Sequence, residues 1–186
     1  VLCLFAFFIL IQFNFLTILL GLGSMSLAFS YPFMKRITYW PQLFLGLTFN
    51  WGALMAWTAM HNSISYEVII LYLAAIFWTL GYDTIYGAQD MFDDEIIGLK
   101  STAIKFKKNI KLFVILNYSI TSVLLVILFI KYIGLNIFSL LLLGFIVSLI
   151  LQILFFNIKN ATSCLNSFKL NNVSGLLLFL SINLIN

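Results

Sequence analysis

Five of the six acidic residues of this 186-residue chain lie between Asp83 and Glu95, within the stretch GYDTIYGAQDMFDDEIIGLKSTAIKF at positions 81–106. Asp83, Asp90 and Asp94 are spaced by seven and four residues. At about 100° per residue, an uninterrupted helix puts Asp90 about 20° to one side of Asp83 and Asp94 about 20° to the other. The three carboxylates then form one stripe, and Gly87 on the same stripe leaves room for a ligand. Asp93 and Glu95 point elsewhere. Carboxylates on one face repel each other unless a cation is shared between them. No Cys or His accompanies the cluster, which argues against zinc and the softer metals. Oxygen-only ligands favour Mg²⁺ or Ca²⁺, and Mg²⁺ completes one or two carboxylates with water and substrate phosphates. Arg36 and Lys100, in neighbouring loops with Lys35, could reach phosphate oxygens directly. Carboxylates, Mg²⁺, phosphate and basic side chains make a coherent diphosphate site.

The elements that position this cluster must lie in a membrane. The chain is 63% hydrophobic and 9% charged, with a mean hydropathy of +1.10. Apolar runs long enough to cross a bilayer, about 20 residues in a helix, recur along it. In lipid the backbone must satisfy itself, so only helices or a closed barrel can span. The runs are continuous rather than alternating, which excludes a barrel. The predicted fold class is all-α, a polytopic transmembrane helical bundle in a single domain over 1–186. Seven apolar segments are expected, at about 1–13, 16–34, 41–60, 66–88, 110–131, 135–157 and 172–186. The first is too short to span, and Pro41 suits the first turn of the third. Small residues in GLGSMSLAFS would let helices approach closely.

Ten basic residues give a net charge of +4, too few and too scattered for a nucleic-acid partner. They report orientation instead. Nine fall in alternate loops, near 35–40, 89–109 and 158–171, and only Lys131 falls in the others. Those three loops should therefore share the cytoplasmic or matrix side, which sets the acidic cluster beside Lys35 and Arg36. The segment FKKNIK at 106–111 is expected to be a solvated anchor at the membrane surface. Cys3 and Cys164 belong to no ligand-spaced motif and are expected to be buried thiols, and the lone His61 an interfacial loop residue.

The sequence resembles the UbiA-type intramembrane prenyltransferases, and among them the branch that prenylates 4-hydroxybenzoate. Three blocks carry the resemblance: YPFMKRITYWPQ (31–42) with LGLTFNWG (45–52), YDTIYGAQDMFDDEIIGLKSTAIKF (82–106), and CLNSFKLNNVSGLLLFL (164–180). The resemblance implies nine transmembrane helices around a central cavity, about seven of them in this chain. It implies two aspartate-rich motifs that hold Mg²⁺ against the diphosphate of a polyprenyl donor. The second motif is an Asp-x-x-x-Asp, here Asp90 and Asp94, with Asp83 beside it. Arg36, Lys35, Lys100 and Tyr86 become candidate contacts to the diphosphate or to the aromatic acid. The implied reaction moves a polyprenyl group from polyprenyl diphosphate to the ring carbon of 4-hydroxybenzoate in ubiquinone biosynthesis. Its setting is a bacterial inner membrane or the mitochondrial inner membrane.

The chain departs from the family pattern in one respect. The first motif, Asn-Asp-x-x-Asp-x-x-x-Asp, occurs nowhere in it. By the order of the blocks, Val1 falls inside the third helix of the family, so the domain is expected to be N-terminally truncated and inactive alone. Rival expectations are a haem O synthase or another aromatic prenyltransferase, a remnant of a truncated gene and, from another class, a cation-coupled transporter using the carboxylates as an ion site. A transporter should show inverted halves or paired broken helices, and the sequence shows neither.

Overall fold

The computed structural model describes residues 2–185, and every regular element among them is helical. The order is α1 (Leu2–Leu10), α2 (Phe15–Ser30), a 3₁₀ turn (Tyr31–Phe33), α3 (Met34–Ile37), α4 (Pro41–Phe49), α5 (Trp51–His61), α6 (Tyr66–Gly87), α7 (Met91–Ile96), α8 (Thr102–Lys105), α9 (Ile110–Phe129), a second 3₁₀ turn (Ile130–Tyr132), α10 (Ile137–Phe155), α11 (Ala161–Lys169) and α12 (Asn171–Asn183). Five helical stretches among the described residues are long and apolar enough to cross a membrane: Phe15–Ile37, Pro41–His61, Tyr66–Gly87, Ile110–Tyr132 and Ile137–Phe155. The protein is an integral membrane protein with an all-α fold.

The helix ends follow from local chemistry. Asn14, Asn136 and Asn160 cap α2, α10 and α11 by accepting from the backbone N–H three residues on. Pro41 opens α4, where its missing N–H costs nothing. Asn62 ends α5 in the left-handed region at φ 49°. Within Pro41–His61 the helix pauses at Asn50, whose side-chain amide donates to Gly46 O and to Thr79 Oγ1 on α6. Leu170 between α11 and α12 keeps a helical conformation, so the chain follows one helical path from Ala161 to Asn183.

α6 is the axis of the molecule. It packs against α9 on one side, α4 and α5 on another, and α11 near its end. Lipid tails offer no hydrophobic drive between helices, so close packing and hydrogen bonds must bring them together. Gly46 lets α4 approach α6, since a Cβ there would stand 3.2 Å from Ile76 O. Tyr72 Oη donates to Leu47 O at 2.8 Å, Thr121 Oγ1 to Ala74 O at 3.2 Å, and Trp51 Nε1 to Leu20 O at 2.9 Å. The other half closes around Tyr118, Gln152, Ser148 and Ser174, which bridge α9, α10 and α12. Large apolar side chains such as Leu116, Ile127, Leu140, Leu154, Leu176 and Phe179 stay exposed, as a lipid-facing surface requires.

Two small expectations fail. Cys164 is buried, but Cys3 is exposed. His61 is no loop residue: it closes α5 and stacks on Trp57 with ring centroids 4.4 Å apart.

Candidate functional site

The three basic loops gather at one end of the bundle. Lys100 N donates to Lys35 O at 2.8 Å, and Lys100 Nζ to Ile37 O at 3.1 Å. Lys35 Nζ stands 3.8 Å from Asp94 Oδ2. From the third loop, Phe168 on α11 meets Tyr86 at 4.8 Å and Tyr82 at 5.9 Å between ring centroids. Residues 35–37, 82–100 and 168 therefore share one polar mouth, as the alternation of basic loops predicted.

The continuous stripe of carboxylates does not survive. α6 ends at Gly87, and Asp90 takes a non-helical φ of −105° as the residue that opens α7. Asp83 remains on α6, half-buried, within electrostatic range of Lys35, Tyr31 and Tyr82. Asp90 and Asp94 lie beyond the break. Among the described residues, no group of three or more Asp, Glu, His or Cys side chains lies close enough to hold a metal ion. Asp83 is thus corrected from a member of one three-carboxylate stripe to a separate charge below the turn. The space at Gly87 is not left for a ligand either: a Cβ there would stand 3.1 Å from the Gln42 amide nitrogen.

The pair itself holds together. Asp94 N donates to Asp90 O at 2.9 Å, so the two are joined by one helical turn at the head of α7. Asp90 is exposed, with only a 3.5 Å contact from Gln89 Nε2, and Asp94 is half-buried against Lys35. Two carboxylates with no softer donor are what a Mg²⁺ ion takes from a protein when phosphates complete its shell. A cation, Lys35, already stands where Asp94 needs countercharge, which is the electrostatic demand a metal would meet.

The remaining candidates are placed as follows. Arg36 is exposed in the last turn of α3 and makes no ion pair among the described residues. Lys100 is drawn back onto Ile37 O, with its ammonium 5.6 Å from the centre of the Tyr39 ring. Tyr86 is open at the mouth, 40% exposed. Of the acidic neighbours, Asp93 is exposed, and Glu95 pairs with Lys107, which also lies 4.8 Å over the Phe92 ring. Lys105 sits 4.4 Å over Trp40. Within FKKNIK, Lys107 is therefore held to the protein by pairing and cation–π contact, while Lys108 stays exposed as a surface anchor would.

Sequence reasoning passed over the group that holds this mouth in shape. Ser101 and Thr102 of the segment 99–105 are buried against Gln42 and Thr84, which are buried as well. Thr102 N donates to Gln42 Oε1 at 3.0 Å, the Thr84 and Thr102 hydroxyls meet at 2.6 Å, and Ser101 Oγ caps α8 by accepting from Ile104 N at 3.2 Å. The available signal was a glutamine one residue after Pro41 in an apolar span, where polar side chains serve to join helices.

The profile of the UbiA prenyltransferase family matches residues 1–178. The chain belongs to that family. It is 42% identical over 185 residues to the mitochondrial 4-hydroxybenzoate polyprenyltransferase of Drosophila pseudoobscura pseudoobscura, covering 94% of this chain and 44% of that protein. It is 55% identical over 104 residues to the human protein of the same name, covering 55% of this chain and 28% of that one. A solved apo structure of a UbiA homolog from Aeropyrum pernix K1 matches with a TM-score of 0.75 at 23% identity, over 93% of this chain and 65% of that one. The UbiA fold expected from the three blocks is thus present, and the chain spans less than half the length of the two polyprenyltransferases named above.

Proposed function

We propose that the complete protein transfers a polyprenyl group from polyprenyl diphosphate to the ring carbon of 4-hydroxybenzoate, a step of ubiquinone biosynthesis, in the mitochondrial inner membrane with the Asp90–Asp94 mouth on the matrix side. The observation that carries this is the one-turn carboxylate pair set against Lys35, with Lys100 folded onto Ile37 O nearby, at the polar end of an intramembrane bundle. The names of the relatives supply the donor class, the acceptor and the organelle.

In this reading Asp90 and Asp94 hold the metal side of the diphosphate. Mg²⁺ bound there supplies Lewis-acid neutralisation of the leaving group. Lys35 and Lys100 add positive charge beside it, and the exposed Arg36 offers five donors in a planar fork for a carboxylate or a phosphate. The allylic C–O bond breaks and diphosphate leaves with its electron pair. The allylic carbon then bonds to the ring carbon ortho to the phenol, and loss of the proton from that carbon restores aromaticity. The allylic cation must meet no water, and the faces of Tyr86 and Phe168 at the mouth can stabilise it. The polyprenyl tail is too long to enclose and runs out into lipid.

The test is product formation by membranes carrying the gene from its natural start, given 4-hydroxybenzoate, a polyprenyl diphosphate, and either Mg²⁺ or EDTA. Prenylated hydroxybenzoate that appears only with Mg²⁺ establishes reaction and metal together. Absence of product from intact membrane-inserted protein, with turnover of another aromatic acceptor or of haem, moves the assignment to that acceptor.

A further inference from the structure

Gln42 occupies the first turn of α4 and is 3% exposed. Its two polar ends can be told apart by chemistry. A backbone N–H only donates, so the atom receiving Thr102 N at 3.0 Å is the amide oxygen. The NH₂ group is then the end that lies against Gly87, 3.1 Å from where a Cβ would stand, and among the described residues no protein acceptor receives it. The hydroxyl pair next to it is directional too. Thr84 Oγ1 gives its only proton to Leu80 O at 2.6 Å, so Thr102 Oγ1 must donate to Thr84 across their 2.6 Å contact.

One buried side chain thereby touches the end of α6 and the start of α8. Gly87 is three residues before Asp90, and Thr102 is two residues after Lys100. Lys100 in turn is tied through its own backbone and ammonium to Lys35 and Ile37. The backbone bond from Leu99 N to Asp94 O at 2.9 Å joins the turn to Lys100 directly, and Gln42 braces both ends of that loop from beneath, at Gly87 and at Thr102. The helix break that removes Asp90 from the stripe of Asp83 also begins where the Gln42 amide meets Gly87.

We propose that Gln42 is a positioning residue: it fixes the Asp90–Asp94 turn relative to Lys100 and so sets the geometry in which metal and diphosphate are gripped. This rests on the proposed role of Asp90 and Asp94 as metal ligands. Gln42 acts through the turn and touches no reacting atom.

Two measurements on the complete protein in membranes test it. The first is the Mg²⁺ dependence of prenyl transfer. Gln42→Met keeps the volume and loses both hydrogen-bonding ends. It raises the Mg²⁺ concentration for half-maximal rate roughly tenfold, the scale of lost outer-shell support, with the rate at saturating Mg²⁺ within about threefold of wild type. The second needs no activity: trypsin cleavage after Lys100, followed by mass spectrometry in EDTA, is faster in Gln42→Met because the segment 99–105 loses its bond from Thr102 N to Gln42 and is held less firmly. Gly87→Ala perturbs the same contact from the other side and moves both readouts the same way by less. It replaces Gln42→Met if that variant fails to accumulate. An unchanged Mg²⁺ curve with an unchanged cleavage rate overturns the proposal, as does a loss of maximal rate without a Mg²⁺ shift. If wild-type membranes transfer no prenyl group, the proposed function falls, and the cleavage arm still decides whether Gln42 holds the segment.

Discussion

Two polar regions of this apolar chain are built on opposite terms. Between α9, α10 and α12, Tyr118 donates to Gln152, Gln152 donates to Ser174, and Ser148 donates to Ser174, all buried. Every group there closes on another protein group. At the mouth, Asp90 and Arg36 are exposed and unpaired among the described residues, and Asp94 has only a lysine at 3.8 Å. In lipid an unsatisfied polar group costs several kcal/mol, so the first region is what holds helices together. The second leaves charge open at the membrane surface, where water can satisfy it until a ligand does. The difference separates polar residues that make structure from those that make chemistry.

The sharpest way to break that division is to exchange the consequences. Asp90→Ala or Asp94→Ala in the complete protein should lower turnover by at least about a hundredfold, since a Lewis-acid metal contributes several kcal/mol. The same variants should insert and accumulate as wild type does, because Asp90 bonds no other helix and Asp94 meets only Lys35, at 3.8 Å. The assay is prenyl transfer together with the amount of folded protein recovered in detergent. Asp83→Asn should have a milder effect on turnover, since the helix break sets it apart from the pair.

Gln152→Leu should do the reverse. It leaves the Tyr118 hydroxyl without its acceptor and removes one of the two donors to Ser174, at a cost of roughly 1–3 kcal/mol for the buried hydroxyl orphaned. Thermal inactivation in detergent should move to lower temperature, while the Mg²⁺ concentration for half-maximal rate stays put. A shift in Mg²⁺ dependence would show that the two regions are coupled.

Gly81→Ala sharpens the same point through packing. A Cβ there would meet Tyr118 Cε1 at a distance no carbon pair accepts, and Cδ1 at 2.6 Å. The ring cannot swing aside freely, because its hydroxyl is held by Gln152. The expected loss is about 1–3 kcal/mol, the usual cost of overpacking, and it should shrink when combined with Gln152→Leu, which frees the ring. Additive losses would mean that the ring is held by something else.

The sequence disclosed these two regions unequally. The apolar runs at 66–88, 110–131 and 135–157 became Tyr66–Gly87, Ile110–Phe129 and Ile137–Phe155, because a long run of apolar residues in lipid has no other regular structure open to it. The gathering of Lys35, Asp94 and Lys100 was legible from the alternation of basic loops. The break before Asp90 was not. GAQD carries no proline, and helical periodicity runs through it unchanged, so spacing alone aligned Asp83 with Asp90. The contacts that surround the break are tertiary: Gln42, 45 residues away in sequence, fills the place beside Gly87, and Thr102 pins the returning segment to Thr84. The helix α11 was hidden for another reason. Its residues, ATSCLNSFK, are too polar to read as a membrane run, yet Phe168 within it supplies an aromatic face of the mouth.

The smallest effect is expected where charge is paired at the surface. Lys107 bonds Glu95 and lies over Phe92, with about 38% and 47% of the two charged side chains exposed. It sits twelve residues from Glu95 in sequence and close to the Asp90–Asp94 turn, so proximity alone would make it a candidate for the site. Exposed pairs contribute about 0.2–1 kcal/mol, because water and salt screen them and two long side chains must be ordered. Lys107→Ala should therefore change thermal inactivation only slightly and leave both turnover and Mg²⁺ dependence at wild-type values. The contrast with Lys35, whose partner is a proposed metal ligand, is the informative part. Lys35→Ala removes the positive countercharge beside Asp94 and should alter Mg²⁺ dependence where Lys107→Ala does not. If the two lysine variants behave alike, what matters at the mouth is its summed positive field, and the pairing of Lys35 with Asp94 has no separate role.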